Sequence, residues 1–166
     1  MRAAHPGEKV VLLTSTLQAK RTPVRTPGQD EAGKPTLGSL LADRHGQDFV
    51  AVGLTFGKGR VRVWRREQVV REVAGARMKV LGDWDREKVG TAKPVSLEAG
   101  LLRTRTRFLL DPRAGSGLPA LRPWLEGWHP FRSFGGGGQE SWNWTVPALD
   151  FDLLVFVREV APDDFS

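Results

Sequence analysis

The apolar positions near residue 40 repeat with the period of a short amphipathic helix. Leu37, Leu40 and Leu41 are spaced i, i+3, i+4 and so fall on one face of such a helix. Thr36, directly before them, is a residue type that caps a helix N-terminus with its hydroxyl. Gly46 supplies the left-handed residue that commonly ends a helix. The pattern therefore predicts a helix from Leu37 to just before Gly46.

Continuous apolar runs predict the strands. Residues 49–56 form such a run, which is typical of a strand covered on both faces in a parallel or mixed sheet. Gly57 and Gly59 then predict a turn. The run at residues 10–13 predicts a short buried strand, and the run at residues 153–157 predicts a strand inside the sheet.

A second helix and strand are expected in the middle of the chain. Ser96 can cap a short helix over Leu97–Leu102, with Glu98 favourably placed near its positive end. Residues 108–110 predict a buried strand that ends at Asp111. A carboxylate at a strand end can reach a cleft, but an Asp-Pro pair also starts turns, so structural capping is the favoured interpretation.

Basic and apolar residues alternate from residue 60 to residue 71. The alternation predicts a strand pair with one solvated face that carries Arg60, Arg62 and Arg65. These arginines could hold phosphates beside Trp64 as a stacking platform, but exposed arginines are common on strands and packing of Trp64 is favoured. Nucleic acid is therefore not the expected partner.

Two segments lack any periodicity. Residues 22–35 contain three prolines and two glycines and are predicted to form a loop. Residues 119–145 are rich in Trp, Gly and Pro and are predicted to be irregular, with Trp124, Trp128 and Phe131 as anchors. Trp124 and Trp128 are candidates for a binding surface.

His129 is the one histidine in an aromatic setting, which makes it a candidate general base. It has no acidic residue at metal-ligand or triad spacing, and the three histidines form no HxH, HxxxH or HExxH pattern. His129 is thus a weak catalytic candidate, and no metal or cofactor is expected. The glycine run at residues 135–138 lacks the spacing of a phosphate-binding loop, and no serine lies in a GxSxG elbow.

Composition indicates an ordinary globular domain. The chain has 166 residues, 40% of them hydrophobic, which suits one domain over residues 1–166. It contains no cysteine, so a disulfide framework and a thiolate zinc site are excluded, which favours the cytoplasm. No stretch approaches the roughly 20 apolar residues of a membrane span, so none is expected. The net charge of +6 comes from basic residues scattered among acidic ones, so it is weak evidence for a nucleic-acid partner.

Four segments in the same order resemble the C-terminal portion of the erythromycin esterase family. Residues 36–63 contain a form of the family pattern GxxLxxxxGxxYxAxGxxFGxG. Residues 94–99 (PVSLEA), 108–113 (FLLDPR) and 150–162 (DFDLLVFVREVAP) resemble a helix entry, an Asp-bearing strand end and the final strand. The resemblance implies a mixed, largely parallel α/β sheet with few helices and hydrolysis of macrolide lactones or related esters in response to an antibiotic.

The histidines of that family are missing. Family members are more than twice this length and carry a GExxH-type motif in their N-terminal half. They also have a strand resembling VVxWAHNxHVAR, to which residues 9–21 (KVVLLTSTLQAKR) are similar. This similarity places Ser15 and Gln18 at histidine positions and Thr16 at the asparagine position.

The sequence therefore predicts a basic, erythromycin esterase-like protein that lacks activity on its own. The alternative is a binding or interaction module that uses the Trp-rich segment or the arginine face at residues 60–71. Because the missing half of the family fold would leave apolar edges, the expected partner is a second copy or a separate chain that supplies that half.

Overall fold

The computed structural model describes residues 9–29, 33–65, 69–73, 76–80, 83–104, 106–134 and 140–161. The helices there are α1 (Thr16–Ala19), α2 (Leu37–His45), α3 (Leu97–Leu102), α4 (Pro112–Ser116), α5 (Arg122–Leu125) and α6 (Pro147–Asp150), with a 3-10 turn over Gly46–Asp48. The strands are β1 (Val52–Arg65), β2 (Val69–Val73), β3 (Ala76–Val80), β4 (Asp83–Val89), β5 (Arg107–Leu110), β6 (His129–Phe134), β7 (Glu140–Thr145) and β8 (Leu153–Val160). Among these helices, none is long and apolar enough to cross a membrane.

A mixed sheet forms the centre of this α/β fold. Its four strands are ordered β4-β1-β8-β5, and β2–β3 and β6–β7 form separate antiparallel pairs. The expected mixed sheet with few helices is confirmed, but it is not largely parallel, since only β1–β8 is a parallel pair in the described sheet. The chain reaches β4 from β1 through the β2–β3 pair and not through a helical crossover, so β4 runs back antiparallel to β1.

The hydrophobic core lies on one face of this sheet. Leu154 and Phe156 of β8 are fully buried there and pack with Leu97 and Leu101 of α3 and with Phe131 of β6. Their side chains share a face because alternate residues of a strand point the same way. The predicted interior strand at residues 153–157 is confirmed as part of β8, which pairs on both sides.

The strand β1 is buried on one face only, which corrects the expectation of a strand covered on both. Thr55 is 4% exposed on the core side, whereas Val52 and Leu54 are 47% and 58% exposed on the other side. The predicted turn at Gly57 and Gly59 is also wrong, because β1 continues through both. A Cβ on Gly59 would lie 2.0 Å from the carbonyl oxygen of Val160, so the glycine permits close approach of β8.

Both predicted helix caps are present. Thr36 Oγ1 accepts from the Ser39 amide at 2.9 Å, and Ser39 Oγ accepts in return from the Thr36 amide at 2.9 Å, which forms a capping box. Gly46 follows α2 with φ of +55°. Ser96 Oγ accepts from the Ala99 amide at 3.2 Å at the start of α3. The hydroxyl-bearing residues thus begin the helices as the sequence indicates.

The strand predicted at residues 108–110 exists as β5, but it is an edge strand. Phe108 is half-buried and Leu109 is 61% exposed, because β5 pairs only with β8 and the core covers one face. Asp111 caps α4, since its Oδ1 accepts from the Ala114 amide at 2.9 Å. The structural interpretation of Asp111 is confirmed.

The buried strand predicted at residues 10–13 is not formed. These residues have no strand partner among the described residues, and their side chains are exposed by 57–96%. An apolar run forms a buried strand only where a sheet neighbour and a covering layer meet it, and the described residues provide neither at this segment.

Regular structure replaces part of the segment expected to be irregular. Residues 119–145 contain α5 and the antiparallel pair β6–β7, whose register runs from His129 opposite Thr145 to Phe134 opposite Glu140. The glycines at 135–138 lie outside the described residues. In the predicted loop at residues 22–35, Val24 and Lys34 form an isolated antiparallel bridge.

Candidate functional site

Ser15 and Gln18, which the sequence analysis set at histidine positions, lie at the start of α1. Their side chains make hydrogen bonds within and beside this helix. Ser15 Oγ accepts from the Gln18 amide at 3.3 Å, and Gln18 Oε1 accepts from the Leu37 amide at 3.2 Å. Thr16 Oγ1 donates to the Leu54 carbonyl at 2.6 Å and accepts from the Leu54 amide at 3.2 Å. These hydroxyl and amide groups connect α1 to β1 and α2. None of them is an imidazole that could take a proton near neutral pH.

A buried ion pair joins the end of α1 to the end of α6. Lys20 Nζ lies 2.9 Å from Asp150 Oδ2 and donates to the Trp144 carbonyl at 2.7 Å. Asp150 also accepts from the hydroxyls of Thr22 and Thr145, the latter at 2.6 Å. Both charges have several polar partners, which a buried pair requires. The arrangement holds segments together and leaves no open position for a substrate.

Asp152 forms a second polar junction beside the first. Its Oδ2 accepts from Arg21 at 2.9 Å and from the Ala51 amide at 2.7 Å, and its Oδ1 lies 2.6 Å from Arg113. Arg21 donates further to the Gly46 carbonyl at 3.0 Å. Asp152 therefore ties the end of α1, α4 and the start of β1 together.

A shallow pocket of about 220 Å³ contains His129. The His129 Nε2 atom lies 2.7 Å from the Trp124 carbonyl oxygen, and the two rings are 5.0 Å apart between centroids. Since a carbonyl can only accept, Nε2 carries the hydrogen. The lining residues, none of them acidic, are Pro94, Val95, Ser96, Gly100, Arg103, Trp124 and His129.

This lining supports a binding pocket better than a hydrolytic centre. No carboxylate is among the residues that line this pocket, so His129 has no acidic partner there. Trp128 does not line it, although that side chain is 44% exposed. Within the described part of the chain, no group of three or more His, Cys, Asp or Glu residues could hold a metal ion.

The basic face extends over two strands. Arg60 and Arg62 are exposed on β1, as predicted, and the register places them opposite Lys88 and Arg86 of β4, which are also exposed. The strand that pairs with β1 here is β4, and not a strand near residue 69 as expected. The two residues on β4 were missed because no local signal specifies a non-adjacent strand pairing. The side chains of residues 64 and 65 lie outside the described ones, so the expectations for Trp64 and Arg65 stay predictions.

Glu98 lies in the first turn of α3, where the sequence analysis expected its charge to be favourable, but its side chain is buried. Its Oε1 accepts from Thr55 Oγ1 at 2.7 Å and from the Arg132 amide at 2.9 Å. Its Oε2 has no hydrogen-bond partner among the described residues. Glu98 thus connects α3 to β1 and β6 inside the core.

Comparison with protein families decides the relationship. The family described as erythromycin esterase matches residues 19–160, which is most of the chain. The chain belongs to the erythromycin esterase family. Ser15 and Gln18 both precede the first matched residue, so their equivalence to the family histidines stays a prediction.

Solved structures show the same fold. The chain is 18% identical to a succinoglycan biosynthesis protein, with a TM-score of 0.65 over 89% of this chain and 32% of that one. A protein from Bacillus cereus gives 18% identity and 0.64 over 91% and 33%. A mutant of the erythromycin esterase EreC in its open conformation gives 20% identity and 0.59 over 96% and 34%. A search of curated proteins found no match.

The chain spans about a third of the length of these solved relatives.

Several glycines of the family pattern lie at positions of close packing. A Cβ on Gly38 would lie 2.3 Å from the Ala19 carbonyl oxygen, and one on Gly57 would lie 2.4 Å from Leu102 Cδ2. These glycines therefore allow α2 to contact α1 and β1 to contact α3.

Proposed function

We propose that this chain is the C-terminal part of an erythromycin esterase-like hydrolase and is catalytically inactive on its own. The activity of the complete site would be hydrolysis of a macrolide lactone or a related ester, as part of a response to an antibiotic. The family match supports the reaction class. The observation that supports the inactivity is the start of α1, where Ser15 and Gln18, the residues predicted to stand in place of the family histidines, both make structural hydrogen bonds.

Ester hydrolysis at neutral pH needs a group that takes a proton from the attacking water. A positioned general base typically contributes about 10²–10⁴ in rate, and a hydroxyl or an amide does not replace it. His129 is a poor substitute, since no carboxylate lines its pocket to orient the ring and stabilise its protonated form. The residues of this chain would then bind and shape one side of the site without performing the proton transfer.

The missing base has to come from another polypeptide segment. We place it in a chain segment that corresponds to the remainder of the longer solved relatives. The cysteine-free composition favours the cytoplasm as the location of the protein.

Hydrolysis of erythromycin and of a panel of simple esters tests this proposal. The native chain and a double variant with Ser15→His and Gln18→His are assayed together, with Ser15→Ala plus Gln18→Ala as the matched control. We expect no turnover by the native chain or the alanine control. Turnover by the native chain that survives in the alanine control would overturn the inactivity and direct attention to His129.

The double histidine variant separates two causes of inactivity. Turnover gained only by that variant would show that the imidazoles alone were missing. No turnover in any variant is the result expected if further groups lie outside the chain. In that case, the remainder of EreC added to the histidine variant is the next component to test.

A second candidate function is a binding module that uses the basic face. The specific observation is the β1–β4 register, which sets Arg60 opposite Lys88 and Arg62 opposite Arg86. Basic side chains gathered on one exposed face attract an anionic partner. The aromatic pocket at Trp124 and His129 would favour an uncharged or aromatic ligand instead.

Retention on a heparin column at increasing salt distinguishes these surfaces. Binding through the basic face should weaken steeply with salt. The double variant Arg60→Ser plus Arg62→Ser should elute at lower salt than a control of equal charge, Arg44→Ser plus Arg103→Ser. Equal elution of the two variants would assign retention to overall charge and would remove the argument for a specific face.

A further inference from the structure

The face of the sheet opposite the core carries a row of exposed apolar side chains. Leu54 of β1 and Leu109 of β5 both lie opposite Val155 of β8 in the register, so the three share one face. Leu54 is 58% exposed, Leu109 is 61% exposed and Val155 is half-buried. Val52 continues the row at 47% exposure, two residues before Leu54. We call these four residues the open face.

An apolar segment without regular secondary structure precedes α1, which contacts β1 beside the open face. Residues 10–13 are Val, Val, Leu and Leu, and their side chains are exposed by 69%, 83%, 57% and 96%. All four side chains of this segment therefore meet water. Leu13 precedes Thr16 by three positions, and Thr16 bonds Leu54, so Leu13 lies within roughly 11 Å of that contact.

The exposed apolar area reaches, at its upper bound, the apolar part of a standard homodimer interface. Burial of one Val or Leu side chain removes roughly 60–120 Å² of apolar surface. Residues 10–13, Val52, Leu54 and Leu109 are each 47–96% exposed. At that exposure the seven side chains together present roughly 300–550 Å². A standard interface buries about 800 Å² per partner, of which about 65% is apolar in homodimers.

We propose that the open face is covered by residues 10–13 of a second copy of this chain, and that the two copies exchange these segments about a two-fold axis. Each copy then contributes one apolar segment and one apolar face, so the same contact forms twice. Residues on both sides of the segment are covered in this arrangement, one side by the partner's face and the other by the partner's segment. The inference depends on the exposed side chains and not on the hydrolase assignment.

The chemistry of the surface favours a second copy over a charged ligand. The open face and residues 10–13 contain no ionisable side chain, so they offer nothing for an anion or a cation to bind. Both surfaces belong to this chain and are complementary in kind, which is the condition for an isologous dimer. The longer relatives offer a rival occupant, the remainder of their own fold, and the experiment separates the two.

Light scattering across protein concentration measures the mass of the native chain and its variants. We expect the native chain at twice the mass of one copy. Leu54→Lys on the face and Leu13→Asp in the segment should each give monomers. Leu109→Lys is a second face variant, so the test does not depend on the folding of one variant. Val95→Lys is the control, because Val95 is 72% exposed beside α3, which packs on the core face.

Mixing the Leu13→Asp and Leu54→Lys variants tests the exchange itself. In the mixed dimer, the native segment of one copy meets the native face of the other. In the second contact, the introduced aspartate lies near the introduced lysine. We therefore expect the dimer to form again. A native chain that stays monomeric over the concentration range would overturn the proposal in favour of the rival occupant. A dimer that survives both face variants, or variants that fail to recombine, would also overturn it.

Discussion

Lys20 Nζ lies 2.9 Å from Asp150 Oδ2, with 1% and 2% of the two side chains exposed. The pair links the first helix to the segment directly before the last strand. It removes two charges from water, and the Trp144 carbonyl and the Thr145 hydroxyl supply further hydrogen bonds to them. Such a pair is stable only while both partners are present.

Removal of one partner should therefore destabilise the fold strongly. Lys20→Met leaves the Asp150 carboxylate buried without its cation, and we expect the free energy of unfolding to fall by about 3–5 kcal/mol. Urea denaturation measures the change. The control is Lys58→Met, whose partner Glu159 is 3.4 Å away with both side chains largely exposed, and which should cost about 1 kcal/mol or less. Equal losses in the two variants would contradict the account.

Glu98 should stabilise the core through its hydrogen bonds. Glu98→Ala leaves the Thr55 hydroxyl and the Arg132 amide without their acceptor. Because both groups are then buried without a partner, we expect the free energy of unfolding to fall by about 2–5 kcal/mol. Glu98→Gln retains an acceptor oxygen at that position and should cost clearly less. Thermal unfolding of the two variants makes the comparison. A glutamine variant as unstable as the alanine variant would show that the charge itself is required.

Gly59 should not tolerate a side chain. Its φ of +139° is unfavourable for other residues, and an added Cβ would lie 2.0 Å from the Val160 carbonyl oxygen. We expect Gly59→Ala to lower the free energy of unfolding by at least about 1–3 kcal/mol, because the backbone strain alone is of that size. Gly90→Ala is the control, since no atom lies within 4 Å of the added Cβ. Its effect on urea denaturation should be near zero.

The Thr16 hydroxyl should hold α1 against the edge of β1. Thr16→Val removes the two hydrogen bonds to Leu54, which have lengths of 2.6 and 3.2 Å. We expect the free energy of unfolding to fall by about 0.5–1.5 kcal/mol for each hydrogen bond that is lost. We also expect the Leu54 amide to exchange its hydrogen faster. Thr16→Ser retains the hydroxyl and should exchange like the native chain. Unchanged exchange in the valine variant would mean that the contact does not protect the edge.

Local rules predicted the elements whose signals are local. The helices α2 and α3 begin where Thr36 and Ser96 can cap them, and β8 is a continuous apolar strand inside the sheet. The turn expected at Gly57 and Gly59 was wrong because glycine serves there for close approach and not for reversal of the chain. A single sequence cannot distinguish these two uses of glycine.

The remaining errors concern what covers each strand. Residues 10–13 have the composition of a buried strand, but burial depends on neighbours that local pattern does not specify. The basic face was predicted from residues of β1 alone, since Lys88 and Arg86 join it only through the register of β4. The β6–β7 pair was missed because tryptophan and proline obscured its alternation.

Mass spectrometry of erythromycin incubated with the purified native chain tests the central claim most directly. Hydrolysis of the lactone adds one water to the molecule, so turnover is read as a product with that added mass. The account predicts no product above the rate of a blank without protein, because the chain carries no imidazole at the start of α1. Formation of the hydrolysed product by the native chain would contradict it.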